Sequence, residues 1–225
     1  MARRLVDVLL ASLALIVLAP VLLVAAAGIR LSDPGPILYR GPRVGYRRKL
    51  FPMYKLRTMR VNQAGFRSAI TAQHDPRVFP FGALLRRSKI DELPQLFNVL
   101  RGDMSIVGPR PEDPGMVEQH YTPLDLETLD VRPGLASPGS IYNFTHGETL
   151  LASDDPEKHY VEQLLHLKLA LDVVYVRRAS SRYDVAIIGR TLRVILASLL
   201  GRRRFPDPPE MAEARRLLRE SGVAA

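Results

Sequence analysis

No charged residue interrupts the chain between Val8 and Ile29. A helix over that stretch rises about 33 Å, enough to cover the hydrocarbon core of a bilayer. Pro20 falls near its middle, where the missing N–H and the ring clash break the helical ladder. Arg3 and Arg4 precede the stretch and Arg30 follows it. Lys and Arg favour the cytoplasmic side, so basic flanks at both ends suit a helix–break–helix that enters and leaves on one face. A straight span competes with this reading. A cleaved secretory leader is a third, with small residues at Ala25, Ala26 and Ala27, but the apolar run is long for one and Asp7 stands at its start.

Beyond this segment the pattern shortens. Ile37–Arg40 and Leu50–Lys55 bracket a turn-rich stretch and predict a small hairpin. Residues 62–77 are polar and turn-like. Ala83–Arg87 and Met116–His120 predict short helices, and Pro133–Gly147 reads as a loop. Leu93, Leu96, Phe97 and Leu100 repeat at i, i+3, i+4 and i+7, with Gly102 at the expected stop. That helix places Asp91 at its N-cap and Pro94 in its first turn. Near the end of the chain, Val185, Ile188, Leu192, Ile195, Leu196 and Leu199 share one helical face, while Arg182, Arg190 and Arg193 interrupt the others. Such a helix lies in a membrane interface or packs on the protein's own core, and the period does not choose.

The chain has 225 residues and a net charge of +9, with no cysteine. Disulfides and thiolate metal sites are excluded. The charge calls for an anionic partner, nucleic acid or membrane surface, and the N-terminal segment favours the membrane. His74, His120, His146, His159 and His166 show no HxxxH or HExxH spacing, so a zinc hydrolase has no foothold. No aromatic-interleaved nucleic-acid motif is present.

The chemistry concentrates between Ser88 and Pro111. Asp91 and Glu92 are adjacent carboxylates at a helix start, where positive partial charge favours ionisation and receives phosphate. Capping alone accounts for many such pairs. Arg110 is different, because Pro109 and Pro111 restrict the backbone on both sides. A stiffly mounted guanidinium engages phosphate through two parallel hydrogen bonds at small entropic cost. Lys55, Arg57, Arg86 and Arg132 are further candidates for a basic phosphate pocket.

In order and spacing these residues resemble the monotopic phosphoglycosyl transferases, the bacterial sugar transferases. The resemblance covers roughly residues 1–200 and rests on the proline-centred apolar segment, Tyr54-Lys-Leu-Arg-Thr-Met59, His74-Asp-Pro-Arg77, Asp91-Glu-Leu-Pro-Gln95, Val107-Gly-Pro-Arg-Pro111 and Arg132-Pro-Gly-Leu135. The spacing of Asp172, Tyr175, Ser180, Asp184 and Thr191 agrees with the closing helices. Two departures stand out: Ala19 where the family often has serine, and Ala136–Gly147 in place of its Gly-Trp pattern.

The resemblance implies a mostly α fold with a small β-hairpin, a re-entrant membrane helix over residues 1–31, and a compact cytoplasmic catalytic domain with interfacial helices over residues 32–200. Residues 201–225 read as a basic, then polar tail. It implies a UDP-sugar donor, a polyprenyl phosphate acceptor and Mg2+ held by Asp91, Glu92 or both. Asp91 is then the nucleophile, and Glu92 orients the metal or serves as an acid–base group. The expected place is the bacterial inner membrane, with the site on the cytoplasmic face and lipids as partners; a homo-oligomer is left open. The rivals are a noncatalytic, membrane-tethered basic binding protein and a magnesium phosphodiesterase acting on lipid-linked substrates.

Overall fold

The computed structural model describes residues 2–60, 75–150 and 156–223. His74 and most of the polar 62–77 stretch lie outside them. The first element, α1 (Ala2–Ser32), is long and apolar enough to cross a bilayer. It carries Pro20 inside it and continues as one helix, so the expected break does not divide the element. The physical reason is packing on both sides of the proline. Ala11 on one side and Ala25 and Ile29 on the other are buried against the rest of the protein, with Leu15 and Leu22 partly covered. The other faces stay bare: Leu9, Leu13, Ile16, Val17, Leu23 and Val24 are all exposed.

Both ends of α1 are tied to the same body. Arg4 donates to the carbonyls of Val99 and Leu100, and Asp7 accepts from the Ser105 hydroxyl and the Ile106 N–H. At the far end, Ile29 packs with Leu56, Phe79 and Leu85. A side chain at Gly28 would begin 2.4 Å from the Phe81 ring, so only glycine allows this approach.

The predicted hairpin forms from β1 (Leu38–Val44) and β2 (Leu50–Leu56), antiparallel, with Arg40 opposite Tyr54. Helix α2 (Pro80–Arg87) follows, then a 3-10 turn, Ile90–Glu92, and α3 (Gln95–Arg101). Asp91 is therefore not an N-cap: α3 starts four residues later, and Asp91 is buried within the preceding turn. Gly102 ends α3 at φ +92°, as its position predicts.

Next come β3 (Ser105–Val107), α4 (Pro114–His120) and α5 (Pro123–Leu126). The stretch read as a loop after Pro133 instead holds β4 (Gly134–Ala136), parallel to β3, and α6 (Pro138–Leu150). Pro138 opens α6 at a position where its missing N–H has no intrahelical partner, so a proline-glycine pair that resembles a turn starts a helix. A Cβ at Gly134 would meet the Gly108 nitrogen at 2.1 Å, so glycine lets β4 close on the strand end.

Helix α7 (Pro156–Tyr160) runs through one π turn into α8 (His166–Arg178). Leu169, Leu171, Val173 and Val174 of α8 are fully buried at the centre of the largest core. The last helices are α9 (Ser181–Leu199) and α10 (Met211–Glu220). The polar reading of residues 201–225 misses α10, whose Met211, Ala214, Leu217 and Leu218 enter that core. Its apolar stripe is short and hidden among charges. On α9, Ile187 is buried, while Val185, Leu192, Leu196 and Leu199 remain exposed.

Candidate active site

A left-handed residue, Lys89 at φ 60°, turns the chain into the 3-10 turn that presents Asp91 and Glu92. Glu92 accepts two hydrogen bonds from the Arg110 fork, at 2.9 and 2.8 Å. Lys89 Nζ and Lys55 Nζ lie 3.6 and 3.8 Å from the same carboxylate. Burial alone would raise its pKa, but Arg110, Lys55 and Lys89 together hold Glu92 well below the usual carboxylate range. Its charge in turn pushes the Arg110 pKa up. Burial brings Lys55 down to about 8.

Asp91 has the opposite environment. It is 6% exposed, and its Oδ1 has no hydrogen-bond partner among the described residues. Burial and the neighbouring Glu92 charge both raise its pKa. At one carboxylate the cations outweigh burial; at its neighbour burial outweighs them. Environments that split two adjacent acids this way suit them to different roles.

The basic candidates divide. Lys55 and Arg110 join the carboxylates, and Arg86, bonded through Nε to Thr58 at 2.9 Å, contributes its field to Asp91. Arg57 does not come to the cluster: it is buried against Asp33 and the Pro36 carbonyl, where it staples the exit of α1 to β2. Arg132 donates to the Gly102 carbonyl at 3.1 Å, at the end of α3. The sequence reading passed over Lys89, which an i, i+3 spacing to Glu92 could have flagged. It also passed over Gln95 as a site residue. Gln95 is fully buried with neither amide atom bonded among the described residues.

A cleft of about 550 Å³ opens beside the cluster. Lys89, Glu92 and Arg110 form its polar end, and Leu18 and Val21 of α1 face Ile188, Leu192 and Ile195 of α9 along the rest. Phe144 of α6 lines it too, with Lys89 Nζ 4.8 Å from its ring centre.

Beneath Arg110, Asp172 of α8 is fully buried and accepts from the Gly139 N–H at 2.8 Å. Burial pushes its carboxyl up to about 6, against the easing effect of that N–H, the Ser137 hydroxyl, Lys168 and the Arg110 N–H. A raised folded-state value means stability that is present at low pH and lost as pH rises through about 6. Between about pH 8 and pH 5 the wild type should therefore gain about 1 kcal/mol, or about 2–4 °C of thermal midpoint, relative to Asp172→Asn. Parallel midpoints across that range in detergent would show an Asp172 that is not buried in its charged form.

The family profile described as bacterial sugar transferase matches residues 1–198. The chain belongs to the bacterial sugar transferase family. It is 35% identical over 196 residues to the UDP-N-acetylgalactosamine-undecaprenyl-phosphate N-acetylgalactosaminephosphotransferase of Aeromonas hydrophila, covering 86% of this chain and 43% of that one. It is 36% identical over 199 residues to the UDP-glucose:undecaprenyl-phosphate glucose-1-phosphate transferase of Caulobacter vibrioides, covering 87% and 70%. The exopolysaccharide production protein PSS of Rhizobium leguminosarum bv. phaseoli is 36% identical over 196 residues, covering 84% and 92%. The chain thus spans less than half the length of the Aeromonas relative. The names of the Aeromonas and Caulobacter relatives share undecaprenyl phosphate and differ in the sugar.

Proposed function

We propose that this sugar transferase moves a sugar 1-phosphate from a UDP-sugar to undecaprenyl phosphate through a covalent intermediate on Asp91. The observation that carries the reading is the cleft, whose apolar walls run into Lys89, Glu92 and Arg110 beside a buried, unpartnered carboxylate oxygen. An amphiphile with a phosphate head fits such a shape, and the names of the relatives supply its class.

The Asp91 oxygen attacks the β-phosphorus of the donor; the bond to the bridging oxygen breaks, and UMP leaves with the electron pair. The acceptor phosphate then attacks the same phosphorus, and Asp91 departs as a carboxylate. Arg110, freed from Glu92, grips the donor phosphate, while Lys55 and Lys89 keep the charge of Glu92 balanced during the exchange. Glu92 then serves as the resting partner of Arg110. Its lowered pKa suits a permanent anion and not a proton donor at neutral pH.

Magnesium suits Asp91 Oδ1, a hard oxygen, buried and in need of positive charge. Among the described residues no group of three or more His, Cys, Asp or Glu could form a protein cage, so water and diphosphate oxygens would complete its shell. When bound, the ion neutralises the repulsion between carboxylate and diphosphate.

Packing supports the membrane reading. Both ends of α1 bind one body, and the apolar faces of α1 and α9 are left open. A helix crossing to the far side would have to release one of its ends, so α1 is proposed to re-enter the cytoplasmic leaflet of the inner membrane. The downstream product, a polyprenyl-diphosphate sugar, would prime glycoconjugate assembly.

Full-length protein in detergent, given UDP-glucose or UDP-N-acetylgalactosamine, magnesium and undecaprenyl phosphate, should release UMP only when the acceptor is present in catalytic turnover. A noncatalytic binder and a phosphodiesterase acting on lipid-linked substrates both give no acceptor-dependent UMP.

A further inference from the structure

Three polar residues of α8 fall on one face, because Lys168, Asp172 and Tyr175 are spaced by four and three. Each is 0–1% exposed. All three meet the segment that carries Arg110, and in reverse order. Lys168 donates to the Glu112 carboxylate and to the Tyr160 hydroxyl, which itself donates to Glu112 at 2.8 Å. The Asp172 carboxylate lies against the Arg110 backbone N–H. The Tyr175 hydroxyl sits 3.3 Å from the Val107 carbonyl and donates to Asp184 at 2.8 Å. The segment thus runs antiparallel along α8, with its firm side-chain tether at Glu112 and looser contacts at Val107 and Arg110.

The Arg110 side chain points the other way, to Glu92. If Arg110 releases Glu92 to hold a phosphate, its segment loses the one side-chain tether on the site face. Nothing then keeps the backbone from following the guanidinium except its other anchors. Strand contacts supply some, with the Gly108 N–H on Ala136 and the Gly134 N–H on Pro109. The Val44 N–H on the Glu112 carbonyl adds another, and the α8 face supplies the side-chain anchors. A buried lysine–glutamate pair is a poor choice for stability alone, since an apolar pair of similar volume commonly serves as well or better. Its value lies in fixing one geometry.

We propose that Lys168, Asp172 and Tyr175 are positioning residues, a rail on α8 that fixes Val107–Glu112 so that Arg110 keeps its aim while exchanging Glu92 for substrate phosphate. This rests on the reading that Arg110 grips the donor.

The test uses full-length protein in detergent with UDP-glucose or UDP-N-acetylgalactosamine and undecaprenyl phosphate. Two variants are compared: Glu112→Gln with Lys168→Met, which removes the pair without stranding a charge, and Tyr175→Phe. Amide exchange across residues 107–112 should quicken by roughly tenfold, and donor KM should rise by roughly tenfold with a smaller change in kcat. In an Arg110→Ala background the same variants should change KM little, because residues that act as one unit are not additive. Additive losses, or unchanged exchange at 107–112, overturn the rail. If the wild type shows no acceptor-dependent UMP, the reading of the reaction has failed instead; the exchange rates alone then decide whether α8 holds the segment.

Discussion

Asp91→Asn should lower turnover by roughly 10⁴-fold or more, because in the proposed chemistry it removes the nucleophile and with it the covalent route. Intact-protein mass spectrometry after UDP-sugar without acceptor should show the wild type heavier by one sugar phosphate, and the variant unchanged. The mass of the adduct also identifies the sugar. Folding should not suffer. The Asp91 carboxylate is buried, its Oδ1 lacks a partner among the described residues, and burial and Glu92 both disfavour its charge. A neutral amide of the same shape relieves that burden, so the variant should melt at or above the wild-type midpoint. Turnover at the wild-type rate in Asp91→Asn would remove the proposed chemistry, and a lower midpoint would show that the carboxylate is structural.

Arg110→Ala should reduce kcat/KM for the donor by roughly 10²–10³-fold, the range for losing one charged donor aimed at a reacting phosphoryl group. It should also lower stability by about 2–5 kcal/mol, since Glu92 keeps only the more distant Lys55 and Lys89. The two effects separate in the double variant. Adding Glu92→Gln removes the stranded charge and should recover much of the thermal midpoint, yet none of the lost turnover. Arg110→Lys should rescue little, because a point charge cannot reproduce the fork that Glu92 now fills at 2.9 and 2.8 Å. Donor KM equal to wild type in Arg110→Ala would assign Arg110 to structure alone.

Glu92 illustrates how the structure separates the surroundings of two side chains that residue order leaves alike. Two acids side by side could have traded functions, with metal, proton or phosphorus as their targets. Arg110 pairs with Glu92, where the cations outweigh burial, while at Asp91 burial outweighs the cations. Arg57 is the converse case. It lies two residues from Lys55, in a stretch shared with the family, and yet its guanidinium is committed to Asp33. Two residues apart on one strand would share a face, but β2 ends at Leu56, so Arg57 is outside that register, and a motif does not say which of its charges faces the substrate.

The sequence by itself determined the long apolar α1, the hairpin, the α3 period and its glycine stop, the carboxylate pair and the proline-flanked Arg110. Each of these is a local pattern, written within a few turns or one hairpin, where periodicity and turn chemistry act directly. Only the tertiary structure decided that Arg110 meets Glu92 across 18 positions, that Arg57 and Arg132 are engaged elsewhere, and that α8 carries a polar face beneath the Arg110 segment. It also decided that α1 runs through Pro20 with both ends on one body, and that α10 completes a core. These are pairings between distant segments. A helical period reveals which face of an element seeks a partner, but the partner is chosen by how all the elements pack at once.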